Sequence, residues 1–293
     1  MDEKNTECVI VSAFMTRDSY TDQSNLKPLH DYMNNGKKLL ADTGRHIIFI
    51  EKNIFQEYFS SEFVCVKNTQ SNQVDLFTYE KTEFEYIVTN NNKIFIFFDK
   101  KQMYLNDYKD DITEFQLNTL NPNKDTIEFM FFMCYKTEWM KMVIAFMEQK
   151  YNTDRTIEIH TYEYIWIDFG IKHIFPGNEL FTQSIQNILL EAPLNAERIN
   201  KIRIGGIWDI HITYMYDIYK DITWYFAGGV FGGYRDKIIE FADSMKHICI
   251  QIIQEKHTIM WEVNVWLLLY IHNPDLFNIY NCDHNASLIA NYR

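Results

Sequence analysis

The sequence predicts an α/β protein in which helices flank a mostly parallel β-sheet, and three observations support this fold class. The 293 residues are 47% hydrophobic and 16% aromatic, which is ample for one large core. In the first half, short apolar strand-like runs alternate with a helical segment, as in the βαβ units that build parallel sheets. The second half adds strands around a strongly periodic helix, Tyr234–Glu255. We therefore expect a single domain over residues 1–293.

The first half begins with an apolar run that is typical of a buried strand. The helix that follows it is weakened by Asn34-Asn35-Gly36. The Asn90-Asn91-Asn92 turn joins the last two strand-like runs, so a hairpin or an insertion is expected there. The predicted order is strand Cys8–Phe14, helix Leu29–Leu40, strands Ile47–Ile50 and Phe63–Val66, and the runs Phe84–Val88 and Ile94–Phe98.

The second half alternates apolar runs of strand length with segments of helical periodicity. The predicted order is helix Thr126–Gln149, strand Tyr162–Ile167, helix Glu179–Leu190, strands Ile202–Trp208 and Trp224–Val230, helices Tyr234–Glu255 and Val263–Ile271, and strand Phe277–Tyr280.

Charge and composition argue against two broad classes of protein. The formal net charge of −12 disfavours a general nucleic-acid binder, because such proteins neutralise phosphates with Lys and Arg. A small phosphorylated ligand stays compatible, since a bound divalent cation can supply positive charge. No apolar run reaches the length that spans a bilayer, and the acidic start MDEKNTE is unlike a signal peptide. The five cysteines are scattered, so we expect reduced thiols and a cytoplasmic location.

The strongest chemical signal lies where the strand Tyr162–Ile167 ends directly on Asp168-Phe169-Gly170. A protein kinase would also need a Gly-rich phosphate loop, a strand lysine and a His-Arg-Asp loop, and none of these motifs is present. Two interpretations stay open. Asp and Gly after a strand commonly form a turn. Alternatively, open α/β sheets bind ligands beyond the carboxyl ends of their strands, where a carboxylate can hold a cation that also binds phosphates.

Three more stretches carry candidate site residues, each with a structural alternative. Trp224–Gly233 holds four of the ten glycines, which either let the backbone approach a ligand or form a tight turn. Glu262 begins a helix, either as a site carboxylate or because the helix dipole favours an acid there. His284 follows the last strand, either as a ligand or as a structural histidine.

Taken in order, these stretches resemble glycosyltransferases of the GT-A type, and most closely the HtrL/YibB (WlaTC-like) family. They span nearly the whole chain, while residues 77–121 have no counterpart and are expected to be an insertion. The matching residues are VIVSAF with Arg17 beyond it, Lys136–Trp139, YIWIDFGI, WYFAGGVFGG, WEVNVW and YNCDHN.

The resemblance implies a Rossmann-like mixed sheet flanked by helices. Residues 1–170 would form a nucleotide-sugar half and residues 171–293 an acceptor half. The implied activity is transfer of a sugar from a nucleoside-diphosphate sugar to a glycan or another hydroxyl acceptor. Oxygen and imidazole ligands would suit Mn²⁺ or Mg²⁺ as the cofactor.

The resemblance also assigns site residues on the matching positions. Asp168 takes the place of an Asp-x-Asp motif and, together with His284, would hold the metal. The second carboxylate of that motif is missing, so Asp283, water and the donor phosphates would complete the coordination. Glu262 takes the acidic place. The residues expected to contact the donor are Ala13, Phe14, Arg17, Lys136, Asp168, Gly228 and Gly229, with a solvated surface position as the alternative for Lys136.

Sugar transfer requires positive charge at the leaving diphosphate and a base at the acceptor hydroxyl. We expect Glu262 to be the base, which would invert the anomeric centre. Three rival interpretations stay open. A sugar-nucleotide nucleotidyltransferase usually has a Gly-rich basic loop after its first strand, and Thr16–Asn25 contains no glycine. The others are a catalytically degenerate carbohydrate- or nucleotide-binding relative and a structural protein without a ligand.

Overall fold

The computed structural model describes residues 7–16, 28–63, 75–89, 91–151, 162–190 and 200–292. Within these ranges the chain forms one nine-stranded sheet flanked by helices. The strands are β1 Cys8–Phe14, β2 Arg45–Ile50, β3 Asp75–Tyr79, β4 Thr82–Val88, β5 Lys93–Phe97, β6 Glu163–Ile167, β7 Ile202–Gly206, β8 Phe226–Tyr234 and β9 Phe277–Asn281. The α-helices are α1 Leu29–Leu39, α2 Lys52–Tyr58, α3 Ile127–Cys134, α4 Lys136–Tyr151, α5 Asn178–Leu189, α6 Ile210–Thr213, α7 Arg235–Lys256, α8 Glu262–His272 and α9 Ser287–Ala290.

The strand order is β3-β4-β5-β2-β1-β6-β8-β7-β9, which confirms the α/β class with a mixed sheet. The expectation of a mostly parallel sheet is wrong, because half of the neighbouring pairs are antiparallel. A hairpin of β3 and β4 extends the sheet beside β5, and β8 runs against both β6 and β7. The parallel pairs are β1 with β2, β1 with β6, β2 with β5, and β7 with β9.

These directions bring the ends of seven strands to one edge of the sheet. Strands β1, β2, β5 and β6 are mutually parallel, and β7 and β9 run in the same direction because each is separated from β6 by the reversal at β8. Strand β3 shares this direction because β4 is antiparallel to both β3 and β5. We call this edge, where these seven strands end, the carboxyl edge. Ligands of open α/β sheets bind at such an edge.

Both faces of the sheet are buried, as expected for strands covered by helices on each side. On one face Trp166 of β6 stacks on Trp139 of α4, with ring centroids 5.9 Å apart and an angle of 6° between the rings. On the other face Ile165 and Ile167 belong to a second apolar cluster that includes Ile185 and Ile188 of α5. Successive residues of β6 thus alternate between two cores. Among the described residues, no helix is long and apolar enough to cross a membrane.

The helix predicted over Thr126–Gln149 is in fact two helices, α3 and α4, which meet at Tyr135. Thr126 caps α3, and its hydroxyl accepts a hydrogen bond from the Phe129 N–H at 3.3 Å. Nearly every residue of the two helices is buried or half-buried, so no exposed face marked the break by its periodicity. The restart makes Lys136 the first residue of α4.

Two further expectations about the elements need correction. The strand predicted at Phe63–Val66 is not shown, since Phe63 lies in a turn after α2 and residues 64–66 fall outside the described part. Strand β3 was not predicted, because its turn to β4 uses Glu80 and Lys81 with positive φ angles of 45° and 72°. Asn and Gly are the usual residues of such turns, so the sequence carried no hairpin signal there.

Candidate functional site

A cavity of about 440 Å³ opens at the carboxyl edge, beside the ends of β1 and β6. Ala13 and Phe14 line it from β1, and Asp168 lines it from the residue after β6. Its volume lies in the range of small-molecule sites. Three of the residues predicted to contact a donor therefore share one cavity.

Asp168 is fixed at one carboxylate oxygen and open at the other. Its Oδ1 accepts a hydrogen bond from Trp166 Nε1 at 2.7 Å and forms an ion pair with Lys136 Nζ at 2.9 Å. Its side chain is 34% exposed, and no described residue donates a hydrogen bond to Oδ2. The Asp168 carbonyl also accepts the Ile171 N–H at 2.9 Å, so Asp168 both begins a turn and presents a carboxylate to the cavity.

Lys136 is the centre of a charged cluster behind the cavity wall. Its side chain is completely buried, and its Nζ lies 2.9 Å from Asp168 Oδ1, 3.0 Å from Glu262 Oε1 and 2.9 Å from the Gly228 carbonyl oxygen. Burial opposes the ammonium charge, but attraction to Asp168 and Glu262 outweighs it and raises the pKa of Lys136. The solvated surface position that was the alternative for Lys136 is wrong.

Glu262 lies at the first turn of α8, next to Lys136 and Gly228. Its side chain is only 3% exposed and does not line the cavity. Its Oε1 is held by Lys136, whereas Oε2 accepts no hydrogen bond from a described residue. The observed contacts show how Glu262 orients Lys136, and its role as a base stays a prediction.

Gly228 and Gly229 lie inside strand β8 rather than in a loop, and no described glycine has a positive φ angle. The alternative interpretation of this stretch as a tight turn is therefore wrong. A Cβ on Gly228 would stand 2.3 Å from Glu262 Oε1, and one on Gly229 would stand 2.8 Å from Ile171 Cδ1. The missing side chains make room for Glu262 and for the turn after Asp168, while donor binding by these glycines stays a prediction.

The side chains of Asn264 and of the neighbouring tryptophans Trp261 and Trp266 are held inside the protein. Asn264 Oδ1 accepts hydrogen bonds from the Thr223 N–H and hydroxyl at 2.8 and 2.7 Å, and its Nδ2 donates to two backbone carbonyls. Trp261 and Trp266 are buried in the core. Trp208 and Trp224 are partly exposed, so their rings can stack on a sugar.

His284 lies in the loop after β9, apart from the Lys136 cluster. Its ring packs edge-on against Trp224, with centroids 4.2 Å apart, and partial burial lowers the pKa of His284 although Asp283 opposes this. No contact joins His284 to Asp168. In the part of the chain that the structure describes, no three His, Cys, Asp or Glu side chains form a group suited to a metal ion. The pairing of Asp168 with His284 at a metal ion therefore stays a prediction.

Arg17 falls outside the described residues, so its predicted contact with the donor has no structural counterpart to report. The loop after β1 that would distinguish a nucleotidyltransferase also lies mostly in residues 17–27, outside that part.

Sequence reasoning missed the basic residues of the cavity. Residues 77–121, expected to be an unplaced insertion, supply much of one wall, and the adjoining segment adds more. The signal was present in Lys100 and Lys101, which closely follow the end of β5 at the carboxyl edge, but lysines among acids are also typical of a solvated surface. We call Lys100, Lys101, Lys109 and Lys124 the lysine wall.

Aromatic and thioether side chains complete the cavity. Phe169 packs against Phe14, with ring centroids 5.7 Å apart, and both line the space. Tyr32, Phe129 and Phe132 add further apolar surface. Such a lining suits a flat, partly apolar ligand group with polar atoms at one end.

Comparison of the chain with protein families, with curated proteins and with solved structures finds no match. The resemblance to the HtrL/YibB family stays a prediction, so the geometry of the site carries the argument about function.

Proposed function

We propose that this protein is a glycosyltransferase of the GT-A type, which moves a sugar from a nucleoside-diphosphate sugar to a glycan or another hydroxyl acceptor. One observation carries the proposal. A carboxylate held on one oxygen by a buried lysine, Asp168 on Lys136, opens into a cavity at the carboxyl edge of the sheet. That is the edge at which α/β folds bind nucleotides.

The cavity has an aromatic part and a basic part, and this combination supports a nucleotide sugar as its ligand. Aromatic residues such as Tyr32 and Phe129 offer flat surfaces for a base, while the lysine wall offers positive charge for phosphates. A nucleotide sugar combines both kinds of group in one molecule. The proposed donor therefore lies with its diphosphate toward the lysine wall, and Asp168 Oδ2 accepts a hydrogen bond from a hydroxyl of the donor.

Transfer then needs a proton acceptor for the attacking hydroxyl. We assign this role to Glu262, whose Oε2 is free of hydrogen bonds from described residues while Lys136 holds Oε1. Glu262 lies behind the cavity wall, so the acceptor hydroxyl would have to approach it from beside the cavity. The reaction would then invert the anomeric centre. Lys136 acts as a positioning residue, since it fixes the orientation of both Asp168 and Glu262 without facing the cavity.

A metal ion fits these residues only in part. Asp168 Oδ2 could provide one oxygen ligand, but His284 packs on Trp224 and makes no contact with Asp168. Because the described donors do not form the predicted set, we derive no step through Mn²⁺ or Mg²⁺.

A binding protein without turnover is the second candidate, and the lone carboxylate in Asp168-Phe169-Gly170 favours it. Replacement of Glu262 by alanine distinguishes the two. A binder would keep its ligand affinity and would have no turnover to lose.

Thermal unfolding with UDP, GDP, CMP and their sugar conjugates, each with Mn²⁺ or EDTA, tests the proposed function. A ligand that binds only the folded state raises the midpoint by mass action. We expect one nucleotide family to raise it for the wild type and for Asp275→Asn, an exposed control before β9 at the opposite edge. Asp168→Asn should reduce the shift. No shift with any nucleotide would contradict the proposal.

A further inference from the structure

We propose that the lysine wall binds the diphosphate of the ligand and supplies the positive charge that was expected from a metal ion. This inference rests on the proposed function, which places a nucleoside diphosphate in the cavity. It concerns residues 100–124, a segment that the family resemblance left mostly unassigned. It goes beyond the proposed function in making these lysines, and not a metal ion, the counter-charge of the diphosphate.

The charge inside the cavity is opposite to that of the protein as a whole. Four lysines line the cavity against two carboxylates, Glu128 and Asp168, although the whole chain has a net charge of −12. The excess of two positive charges matches the diphosphate of a nucleotide sugar, since each bridging phosphate carries about one negative charge. Asp107, Asp110 and Asp111 belong to the same segment but do not line the cavity.

The backbone of the lysine wall is held by specific contacts. Asp99 caps the first 3₁₀ turn, Lys100–Gln102, by accepting the Lys101 N–H at 2.9 Å. Asn106 Nδ2 donates to the carbonyls of Lys100 and Met103 at 2.8 and 3.1 Å. Leu105 is completely buried in the core. The segment thus holds its lysines beside the cavity on a fixed frame rather than on a free loop.

The individual lysines differ in their partners. Lys100 pairs with Glu128 at 2.6 Å and donates to the Thr16 carbonyl at 3.2 Å, which fixes its ammonium near the end of β1. Lys101 and Lys109 are exposed and form no ion pair with a described residue. They are therefore available to an anionic ligand at no loss of an existing contact.

In the described part of the chain, no three His, Cys, Asp or Glu side chains form a group that could hold a metal ion, whereas four lysines line the cavity. Asp168 offers one free oxygen, and Lys136 neutralises its other oxygen from behind. A diphosphate placed against Lys101 and Lys109 would be countered by ammonium groups that the chain itself provides. Binding should then persist without a divalent cation.

Titration calorimetry with inorganic pyrophosphate in EDTA tests this directly. We expect the wild type to bind pyrophosphate and expect Lys101→Gln/Lys109→Gln to bind it about 10-fold more weakly, as two partly exposed charges allow. The control is Lys38→Gln/Lys201→Gln, which removes the same charge at the opposite edge and should bind like the wild type. Higher salt should weaken the wild type more than the Lys101/Lys109 variant, because the wild type has two more exposed positive charges for salt to screen.

The outcomes separate this inference from the proposed function. Equal affinity of the two double variants, or binding that requires Mn²⁺, would overturn the lysine wall as the diphosphate site while nucleotide binding could still stand. No binding of pyrophosphate by the wild type would also overturn it. Loss of every nucleotide-dependent thermal shift would instead remove the proposed function itself.

Discussion

Lys136 determines how the two carboxylates of the site are arranged. A completely buried ammonium is tolerated only when opposite charges and hydrogen-bond acceptors surround it, and Asp168, Glu262 and the Gly228 carbonyl provide these. The raised pKa of Lys136 means that its stabilising charge is present at all pH values below its ordinary titration and is lost only in strong alkali. At neutral pH the Lys136 side chain is therefore positively charged.

Replacement of Lys136 by methionine should lower the free energy of unfolding at pH 7 by about 3–5 kcal/mol, because Asp168 and Glu262 lose their buried counter-charge. Chemical denaturation at pH 7 measures this. Lys141→Met on the same helix breaks an exposed pair with Asp243 and should cost less than about 1 kcal/mol. Equal losses for the two variants would contradict this description of Lys136.

The residues of the site could be predicted from the sequence only in part. The strand-end position of Asp168 and the helix start at Glu262 indicated both carboxylates from the sequence alone. Burial of Lys136 could not be predicted, since lysine is almost never fully buried unless paired and its partners are 32 and 126 residues away. For the same reason the sequence did not show that Gly228 makes room for Glu262.

Among the elements, helix α1 and the turn after β6 are linked by a close contact between Gly36 and Phe169. A Cβ on Gly36 would stand 2.0 Å from Phe169 Cζ. The glycine that weakened the predicted helix is therefore required by packing, and it sets the place of the turn that carries Asp168.

Gly36→Ala should lower the free energy of unfolding by about 1–3 kcal/mol, because displacing the Phe169 ring outweighs the gain of about 1 kcal/mol in helix propensity. Denaturant unfolding gives the value. Asn35→Ala on the same helix serves as the control and should be neutral or slightly stabilising. A stabilised Gly36→Ala variant would show that Phe169 does not need this contact.

The elements were predictable where hydrophobic pattern and length agreed. Buried runs marked β1, β2 and β6, and periodicity marked α5 and α7. The break at Tyr135 and the hairpin turn at Glu80-Lys81 depend on tertiary packing and an unusual backbone, neither of which the residue types indicate.

For the whole molecule, the edge opposite the site is stabilised by a second buried ionic group. Lys93 Nζ lies 3.2 Å from Asp42 Oδ1 and 2.6 Å from the Gly44 carbonyl oxygen, and His46 Nε2 lies 2.8 Å from Asp42 Oδ2. Burial alone would raise the pKa of Asp42, but the hydrogen bond from His46, the nearby charges and the Gly44 N–H lower it to about 2. A fully buried, ion-paired lysine thus lies at each edge of the sheet, Lys136 at the carboxyl edge and Lys93 at the opposite edge.

Because the pKa of Asp42 is lowered in the folded state, its stabilising effect is present above pH 4 and is lost as the pH falls through about 2. We expect Asp42→Asn to be less stable than the wild type at pH 7. The difference should shrink by about 2 kcal/mol toward pH 2. Urea unfolding between pH 2 and 7 measures it, with Asp275→Asn as the exposed control. A difference that stays constant with pH would contradict the lowered pKa.

The central claim is that the cavity at the carboxyl edge transfers a sugar from a nucleotide donor. Its most direct test measures release of free nucleoside diphosphate from a panel of nucleotide sugars in the presence of sugar acceptors, with and without Mn²⁺. We predict turnover with one donor family, reduced at least about 100-fold in folded Asp168→Asn and Glu262→Gln variants and unchanged in Asp275→Asn. Turnover that survives both site variants, or no turnover with a donor that binds, would contradict the claim.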